Sequence, residues 1–131
     1  MINLHNKSPK ILVIGDLIID QYLWGSCERI SPEAPVQIVN IDSENIVLGG
    51  AGNVVNNLKS LGAKVDVISV VSDSQTSDIL RSLLKNIGVE TKYLISQKDR
   101  INSKKSRIIA SQQQVVRYDH ESTEEINDKS Q

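Results

Sequence analysis

A glycine-rich string, from Gly49 and Gly50 to Asn53, is the most informative group of residues for chemistry in this sequence. Apolar residues at helical spacing follow it, so the N–H groups of a first helical turn lie close to the glycines and can bind a ligand. Asn53 can both donate and accept hydrogen bonds, which suits a polyol. A tight strand-to-helix turn without a ligand explains the string equally well. It is not a P-loop, because no Lys-Ser/Thr follows the glycines.

Two carboxylates, Asp16 and Asp20, follow the first predicted strand. Open α/β sheets bind their ligands beyond the carboxyl ends of the strands. Carboxylates there can accept paired hydrogen bonds from neighbouring sugar hydroxyls. Taken alone, each residue more simply has no role in binding, with Asp16 forming a turn and Asp20 being a solvated charge.

A basic segment towards the end of the sequence contains Lys105 and Arg107. Side chains alternate along a strand, so these two cations are predicted to point to the same face and could together bind a phosphate carried by a substrate. Gln113 belongs to the polar group on the returning strand. A solvated basic strand that aids solubility is the plainer interpretation, and the segment alone favours it.

The apolar patterns predict a parallel α/β fold that would position these groups. Ile11–Ile14 is a continuous apolar run, which predicts a strand buried on both faces. A helix is predicted to follow the glycines and to end at Gly62, with five residues on its apolar face: Ala51, Val54, Val55, Leu58 and Leu61. A second helix, capped by Asp73 or Ser74 and ended by Gly88, lies between strands predicted over Lys64–Val71 and Thr91–Ile95. Such repeated units indicate a parallel sheet.

The segment between the first strand and the glycines has a different pattern. Pro32 and Pro35 exclude a helix there. Two short strands, the second over Val36–Ile41, predict a β lid that stands off the main sheet within about residues 21–48. Further along, Ser106–Ala110 and Gln114–Tyr118 predict a hairpin that turns near Ser111 and Gln112.

Composition excludes several classes of protein. The chain has 131 residues, 39% of them hydrophobic, and a net charge of -1, so no global field favours nucleic acid or a membrane surface. Aromatic residues make up 3%, too few for a base-stacking surface. One cysteine and no Cys/His cluster predict neither a disulfide nor a metal site. With no apolar signal core and no spanning segment, we expect a cytoplasmic location.

Taken in order, these features resemble the ribokinase-like, or phosphofructokinase-B, carbohydrate kinases. Finer strings resemble the heptose 7-phosphate kinases within that family, namely Gly15-Asp16 with Asp20, Arg29-Ile30-Ser31-Pro32-Glu33-Ala34-Pro35-Val36, Leu48-Gly49-Gly50-Ala51, and Gln113-Gln114 with Arg117 and Asp119. The resemblance implies the N-terminal part of an α/β, ribokinase-like parallel-sheet sandwich with a small β lid. Residues 1–121 would belong to the kinase domain, and 122–131 would form a polar tail or a truncated continuation.

The resemblance also implies roles for single residues. The lid would cover a sugar pocket and join two subunits in a homodimer. Carboxylates would hold sugar hydroxyls, the glycine string would line the pocket, and the hairpin would face the sugar or its phosphate. The implied substrate-binding residues are Asp16, Asp20, Gly49, Gly50, Asn53, Lys105, Arg107 and Gln113.

The implied reaction is phosphorylation, by ATP with Mg²⁺, of D-glycero-D-manno-heptose 7-phosphate at its anomeric hydroxyl in ADP-heptose and lipopolysaccharide precursor synthesis. The family's catalytic Asp lies in a Gly-x-Gly-Asp turn, which this sequence does not contain. That Asp is expected beyond the C-terminus, so we assign no catalytic residue and no ATP site, and expect the isolated chain to be inactive. The alternatives are a non-catalytic sugar-binding or dimerisation module, and another sugar kinase of the same family.

Overall fold

The computed structural model describes residues 8–128 and 130. Residues 1–7, 129 and 131 lie outside the described residues, and so do those parts of the predicted kinase domain and tail. The elements in chain order are β1 (Lys10–Ile14), β2 (Leu17–Ile30), β3 (Gln37–Gly50), α1 (Ala51–Ser60), β4 (Lys64–Val71), α2 (Gln75–Asn86), β5 (Leu94–Ser96), β6 (Lys104–Ala110) and β7 (Gln113–His120).

The first sheet has three parallel strands in the order β1-β4-β5, as the repeated strand–helix pattern predicted. Along β4 the side chains of Val65, Val67, Ser69 and Val71 are buried and alternate with less buried residues, because successive strand residues point to opposite faces. Strand β5 begins at Leu94, not at the predicted Thr91, because a turn occupies residues 92–93.

Both helices end at the predicted glycines. Gly62 (φ 85°) and Gly88 (φ 70°) adopt the left-handed conformation that commonly ends a helix. The predicted apolar face of α1 is only partly correct. Val55 is fully buried, but Val54 is 48% exposed and Leu61 is 83% exposed. The reason is that α1 buries a narrow stripe of its surface, through Gly52 and Val55.

Strand β1 is covered on one face only, which corrects the prediction that both faces are buried. Ile11 and Val13 pack against the core, whereas Leu12 is 52% exposed and Ile14 is 70% exposed. Among residues 8–128 and 130, no helix lies over the face that carries Leu12 and Ile14. An apolar run cannot by itself show how many of its faces are covered.

The second sheet, called here the lid sheet, has the strand order β3-β2-β6-β7. It is larger than the predicted lid, because β2 and β3 pair along 14 residues each and reach back to Leu17 and Gly50. The pairing continues through irregularities after Trp24 and Cys27. Gly25 permits the first of them, because a Cβ there would overlap the carbonyl oxygen of Asn40.

The predicted hairpin is present and belongs to the lid sheet. Strands β6 and β7 are joined by Ser111 (φ 51°) and Gln112 (φ 64°), a two-residue turn with both central residues in the left-handed region. Strand β6 also runs parallel to β2 from Ile19 to Gly25. The hairpin is therefore fixed against the strand that follows Asp16.

The core lies between the two helices, β4 and the first residues of the lid sheet. Leu17 and Ile19 on β2 and Leu48 on β3 join Val55 and the α2 residues Leu80 and Leu84 in one buried cluster. The bases of both sheets thus share a single core. Within the part of the chain that the structure describes, no helix is long and apolar enough to cross a membrane.

Candidate functional site on the lid sheet

Asp20 and Arg107 form the centre of the site. Arg107 Nη1 donates a hydrogen bond of 2.6 Å to Asp20 Oδ1, and the side chains of both residues are 20% exposed. This bond is the main reason why the pKa of Arg107 is raised above its usual value. Because β2 and β6 are paired in parallel, two residues far apart in sequence meet on one face of the sheet.

Aromatic side chains continue this face along β2. The Arg107 guanidinium lies 5.2 Å from the centroid of the Tyr22 ring, and Tyr22 stacks on Trp24 at 5.6 Å between centroids. A cation over an aromatic ring is held in place by electrostatic attraction to the ring face. The sequence reasoning did not include Tyr22. Its signal was the i+2 spacing from Asp20, which puts both residues on one face of a strand.

The second cation on this face is Lys105. Its Nζ lies 3.5 Å from Asp119 Oδ2 and 3.6 Å from Glu121 Oε2, and Asp119 also pairs with Arg117 at 3.2 Å. Lys105 and Arg107 therefore share a face, as their spacing predicted, but both are paired with carboxylates. With Asp20, the face carries three cations and three anions, which leaves it without local net charge.

Gly49 and Gly50, at the end of β3, lie close to the Asp20 side chain and to the Asp16 main chain. A Cβ on Gly49 would overlap Asp20 Oδ2, so Asp20 lies directly over the Gly49 main chain. Gly50 has φ 55°, and a Cβ there would lie 2.6 Å from the carbonyl oxygen of Asp16. The same carbonyl accepts a hydrogen bond of 2.9 Å from the N–H of Ala51 at the start of α1. Gly49 thus allows the Asp20 carboxylate to approach the backbone, and Gly50 allows the main chain of Asp16 to pass close to the start of α1.

Asp16 lies at the carboxyl end of β1 and pairs with a residue that the sequence reasoning missed. Arg100 Nη2 is 3.9 Å from Asp16 Oδ1, and Arg100 Nη1 donates to the carbonyl of Glu124 at 3.5 Å. The Arg100 side chain is 14% exposed and that of Asp16 is 78% exposed. Arg100 follows β5 and belongs to no local motif. This pair could have been predicted only from the parallel order of the strands, which places the residues after β1 and β5 at the same edge of the sheet.

A cavity of about 250 Å³ adjoins Asp16. Its lining includes Ile14, Gly15 and Ser69 from the strand ends, together with Ile126 and Ser130 from the tail. The tail is held nearby by a hydrogen bond of 3.2 Å from the Asn127 N–H to Gln97 Oε1. Polar and apolar surfaces therefore meet at the carboxyl end of the first sheet, where α/β proteins bind ligands.

Two predicted site residues lie apart from this group. Asn53 is exposed in the first turn of α1 and lines a separate groove between α1 and α2, together with Asn56 and Asn86. Gln113 pairs with Ala110 at the hairpin turn, five positions along β6 from Lys105, which is about 16 Å. Both remain predictions as sugar ligands. Among the described residues, no three His, Cys, Asp or Glu side chains are arranged to hold a metal ion.

A parallel sheet packed with two helices, a lid sheet that shares its core, and a polar face beside the strand ends are together typical of sugar kinases with a β lid. Residues 8–131 match the family model described as pfkB family carbohydrate kinase, and the chain belongs to this family.

Curated relatives make the relationship more specific. The chain is 62% identical over 125 residues to "Bifunctional protein HldE" of Aliarcobacter butzleri, covering 95% of this chain and 26% of the relative. It is 58% identical over 127 residues to the protein of the same name from Sulfurimonas denitrificans, covering 97% and 27%. The chain spans about a quarter of the length of these relatives.

Solved structures support the fold. A putative ribokinase from Agrobacterium tumefaciens aligns with a TM-score of 0.67 at 13% identity, covering 87% of this chain and 36% of that one. The Arabidopsis thaliana ribokinase solved with ribose and ATP aligns with a TM-score of 0.64 at 16% identity, covering 86% and 36%. The predicted ribokinase-like fold class is confirmed.

Proposed function

We propose that this chain is the sugar-binding part of a kinase that phosphorylates D-glycero-D-manno-heptose 7-phosphate at its anomeric hydroxyl, a step in ADP-heptose and lipopolysaccharide precursor synthesis. The observation that carries the proposal is the 62% identity to a bifunctional HldE protein over nearly the whole chain. The Arg29–Val36 string, which resembles the heptose 7-phosphate kinases, supports the same substrate.

The charged face of the lid sheet supports a sugar phosphate as ligand. Asp20 is held over the Gly49 main chain by Arg107, so one of its oxygens is oriented while the other can accept from a hydroxyl. Asp16 is mostly exposed and suits a second hydroxyl. Among the three cations on this face, Lys105 has the longest ion pairs and is assigned here to the substrate phosphate. Arg100, beside Asp16, is a second candidate for that phosphate.

ATP and Mg²⁺ belong to the proposed reaction as family properties. The described residues bring no set of carboxylates together for Mg²⁺, and the sequence has no Gly-x-Gly-Asp string. We therefore assign neither ligand to residues of this chain, and we propose that the isolated chain does not turn over. Incubation with heptose 7-phosphate and Mg-ATP tests this directly, and ADP release above a no-protein control would contradict it.

Sugar binding is tested without catalysis, by titration calorimetry of the isolated chain with heptose 7-phosphate. We expect saturable binding that Asp20→Asn weakens by about tenfold, the effect of one lost charge-assisted bond. Asp66→Asn is the matched control, because Asp66 pairs with Lys10 at 3.6 Å on the first sheet. Equal effects of the two variants, or none, would remove the lid face from the site.

The same titration separates the proposal from its alternatives. Tighter binding of ribose 5-phosphate or fructose 6-phosphate than of heptose 7-phosphate would favour another sugar kinase of the family. The remaining three quarters of an HldE-like protein can also be added in trans. If the chain binds the sugar phosphate but no activity appears in that mixture, a non-catalytic sugar-binding module is favoured.

Homodimerisation through the lid sheet is part of the proposal. The far end of the β2–β3 hairpin exposes apolar side chains, with Ile30 at 59% and Val36 at 55%, and Ile30 pairs with Gln37, the neighbour of Val36. Exposed apolar groups that lie close together are typical of interaction surfaces. Sedimentation velocity should show a dimer that Ile30→Asp together with Val36→Asp converts to monomer, and a dimer that survives both changes would place the interface elsewhere.

A further inference from the structure

A buried polar cluster joins the end of β4 to the start of β6. Asn102 Oδ1 accepts a 2.8 Å hydrogen bond from the Ser72 N–H, and Asn102 Nδ2 donates to Ser72 Oγ at 2.8 Å and to Ser77 Oγ at 2.7 Å. Ser77 Oγ in turn donates to the Ser72 carbonyl at 2.5 Å. Ser72, Ser77 and Asn102 are each at most 7% exposed.

The position of Asn102 connects the two sheets. Ser72 follows the last residue of β4 in the first sheet, and Ser77 lies in α2. The next residue after Asn102, Ser103, accepts a hydrogen bond of 2.9 Å from the Ile19 N–H and so begins the pairing between β2 and β6. Arg107 lies five residues after Asn102 on β6.

We propose that Asn102 is a positioning residue, which fixes the register of β6 on β2 and so places Arg107 against Asp20. Register matters here, because a slip of one residue would turn every β6 side chain to the opposite face. Ser106, which is fully buried and donates to Gln21 Oε1 at 3.0 Å, would then face outwards, and Arg107 would face the core.

An asparagine amide suits this task. Its oxygen accepts from a main-chain N–H while its nitrogen donates to two hydroxyls, so three bonds fix the side chain in one orientation. Aspartate offers no donor to those hydroxyls, and alanine would leave the buried Ser72 N–H without its acceptor. The proposal requires no ligand, so it stands or falls independently of the proposed function.

Asn102→Ala tests the proposal by amide hydrogen exchange and by fluorescence of Trp24, the only tryptophan in the chain. Trp24 reports on the lid sheet, because it is paired with Ile109 of β6. We expect exchange of the β6 amides to rise by about tenfold while the β4 amides change by less than about twofold, with altered Trp24 emission well below the denaturant concentration of global unfolding. The control, Asn57→Ala on the exposed side of α1, should change neither.

Equal loss of protection in β4 and β6 would show that Asn102 only stabilises the fold and would overturn the proposal, as would an unchanged β6. If Asn102→Ala does not fold, Ser77→Ala serves instead. It removes one of the two acceptors of Asn102 Nδ2 and keeps the bond to the Ser72 N–H. The same pattern at smaller amplitude is expected, and exchange confined to α2 would overturn the proposal.

Discussion

Gly49→Ala should separate the Asp20–Arg107 pair at little other cost. A methyl group at position 49 would overlap Asp20 Oδ2 and lie 2.9 Å from Asp20 Cγ. Gly49 is outside the left-handed region that penalises alanine, so the substitution adds no backbone strain. The Asp20 carboxylate is the flexible group and must rotate away, which breaks its 2.6 Å bond from Arg107.

The expected magnitude follows from two opposing terms. A hydrogen bond between charged groups contributes about 1.5–3 kcal/mol, and the lower end applies because both side chains are 20% exposed. Replacing glycine by alanine in a compatible conformation restores about 0.5 kcal/mol by restricting the unfolded chain. The net loss of unfolding free energy is therefore about 1 kcal/mol, or a decrease in Tm of about 4 °C for a domain of this size.

Urea unfolding measures this loss, and nuclear magnetic resonance of the arginine side chains shows its cause. The solvent exchange of the Arg107 guanidinium protons should become faster in Gly49→Ala. Gly62→Ala is the matched control, because Gly62 has φ 85° and no atom lies within 4 Å of its added Cβ. It should lose about 1–2 kcal/mol through backbone strain alone, with the Arg107 signals unchanged.

A Gly49→Ala variant as stable as the unaltered chain, with slow Arg107 exchange, would refute the reasoning. It would show that the carboxylate keeps its bond from Arg107 with a methyl group beneath it. A loss of stability with unchanged Arg107 signals would be equally damaging, because the cost would then arise outside the site.

Three further predictions concern charge, surface and core. Because the pKa of Arg107 is raised in the folded chain, its contribution is fully present below the unfolded pKa and is lost only as pH rises through the folded one. Urea unfolding at about pH 6 and about pH 9 should therefore show the same loss for Arg107→Gln, and a loss at one pH only would contradict this. Leu12→Gln with Ile14→Gln should change the free energy of unfolding by about 0.5 kcal/mol or less, since both side chains are largely exposed, and a loss above about 1 kcal/mol in urea unfolding would show that this face is covered. Leu84→Ala should cost about 3 kcal/mol in urea unfolding, because Leu84 is fully buried, and a cost below about 1 kcal/mol would show that the core is loosely packed.

Local sequence patterns predicted the elements whose conformation is set by residues close to each other in the sequence. Alternation predicted β4, glycines predicted both helix ends, and a polar pair predicted the turn at Ser111 and Gln112. The length of β2 and β3 was underestimated, because Gly25 and the polar residues around it interrupt the apolar pattern. The strands continue there since pairing between distant segments, with a local irregularity, compensates for the weak sequence signal.

The sequence predicted single candidate site residues, but not how they are arranged. Asp20 and Arg107 were each expected to bind substrate, and no local signal showed that they bond to each other across 87 positions. Their contact depends on the parallel pairing of β6 with β2, which the sequence reasoning did not include. Arg100 was missed for the same reason, because its partner Asp16 follows a different strand.

The ion-pair distances on the lid sheet differ between Lys105 and Arg107, and this difference supports a proposal about their roles. A phosphate that enters this face must replace carboxylate partners, since every cation named there already has one. Arg107 is bound at 2.6 Å and stacked over Tyr22, so exchanging its partner would break the strongest ion pair on this face. The flexible side chain of Lys105 lies 3.5 and 3.6 Å from its carboxylate partners, so its ion pairs are weaker and easier to replace. We therefore propose that Arg107 acts mainly by orienting Asp20, and that Lys105 is the cation that binds a substrate phosphate.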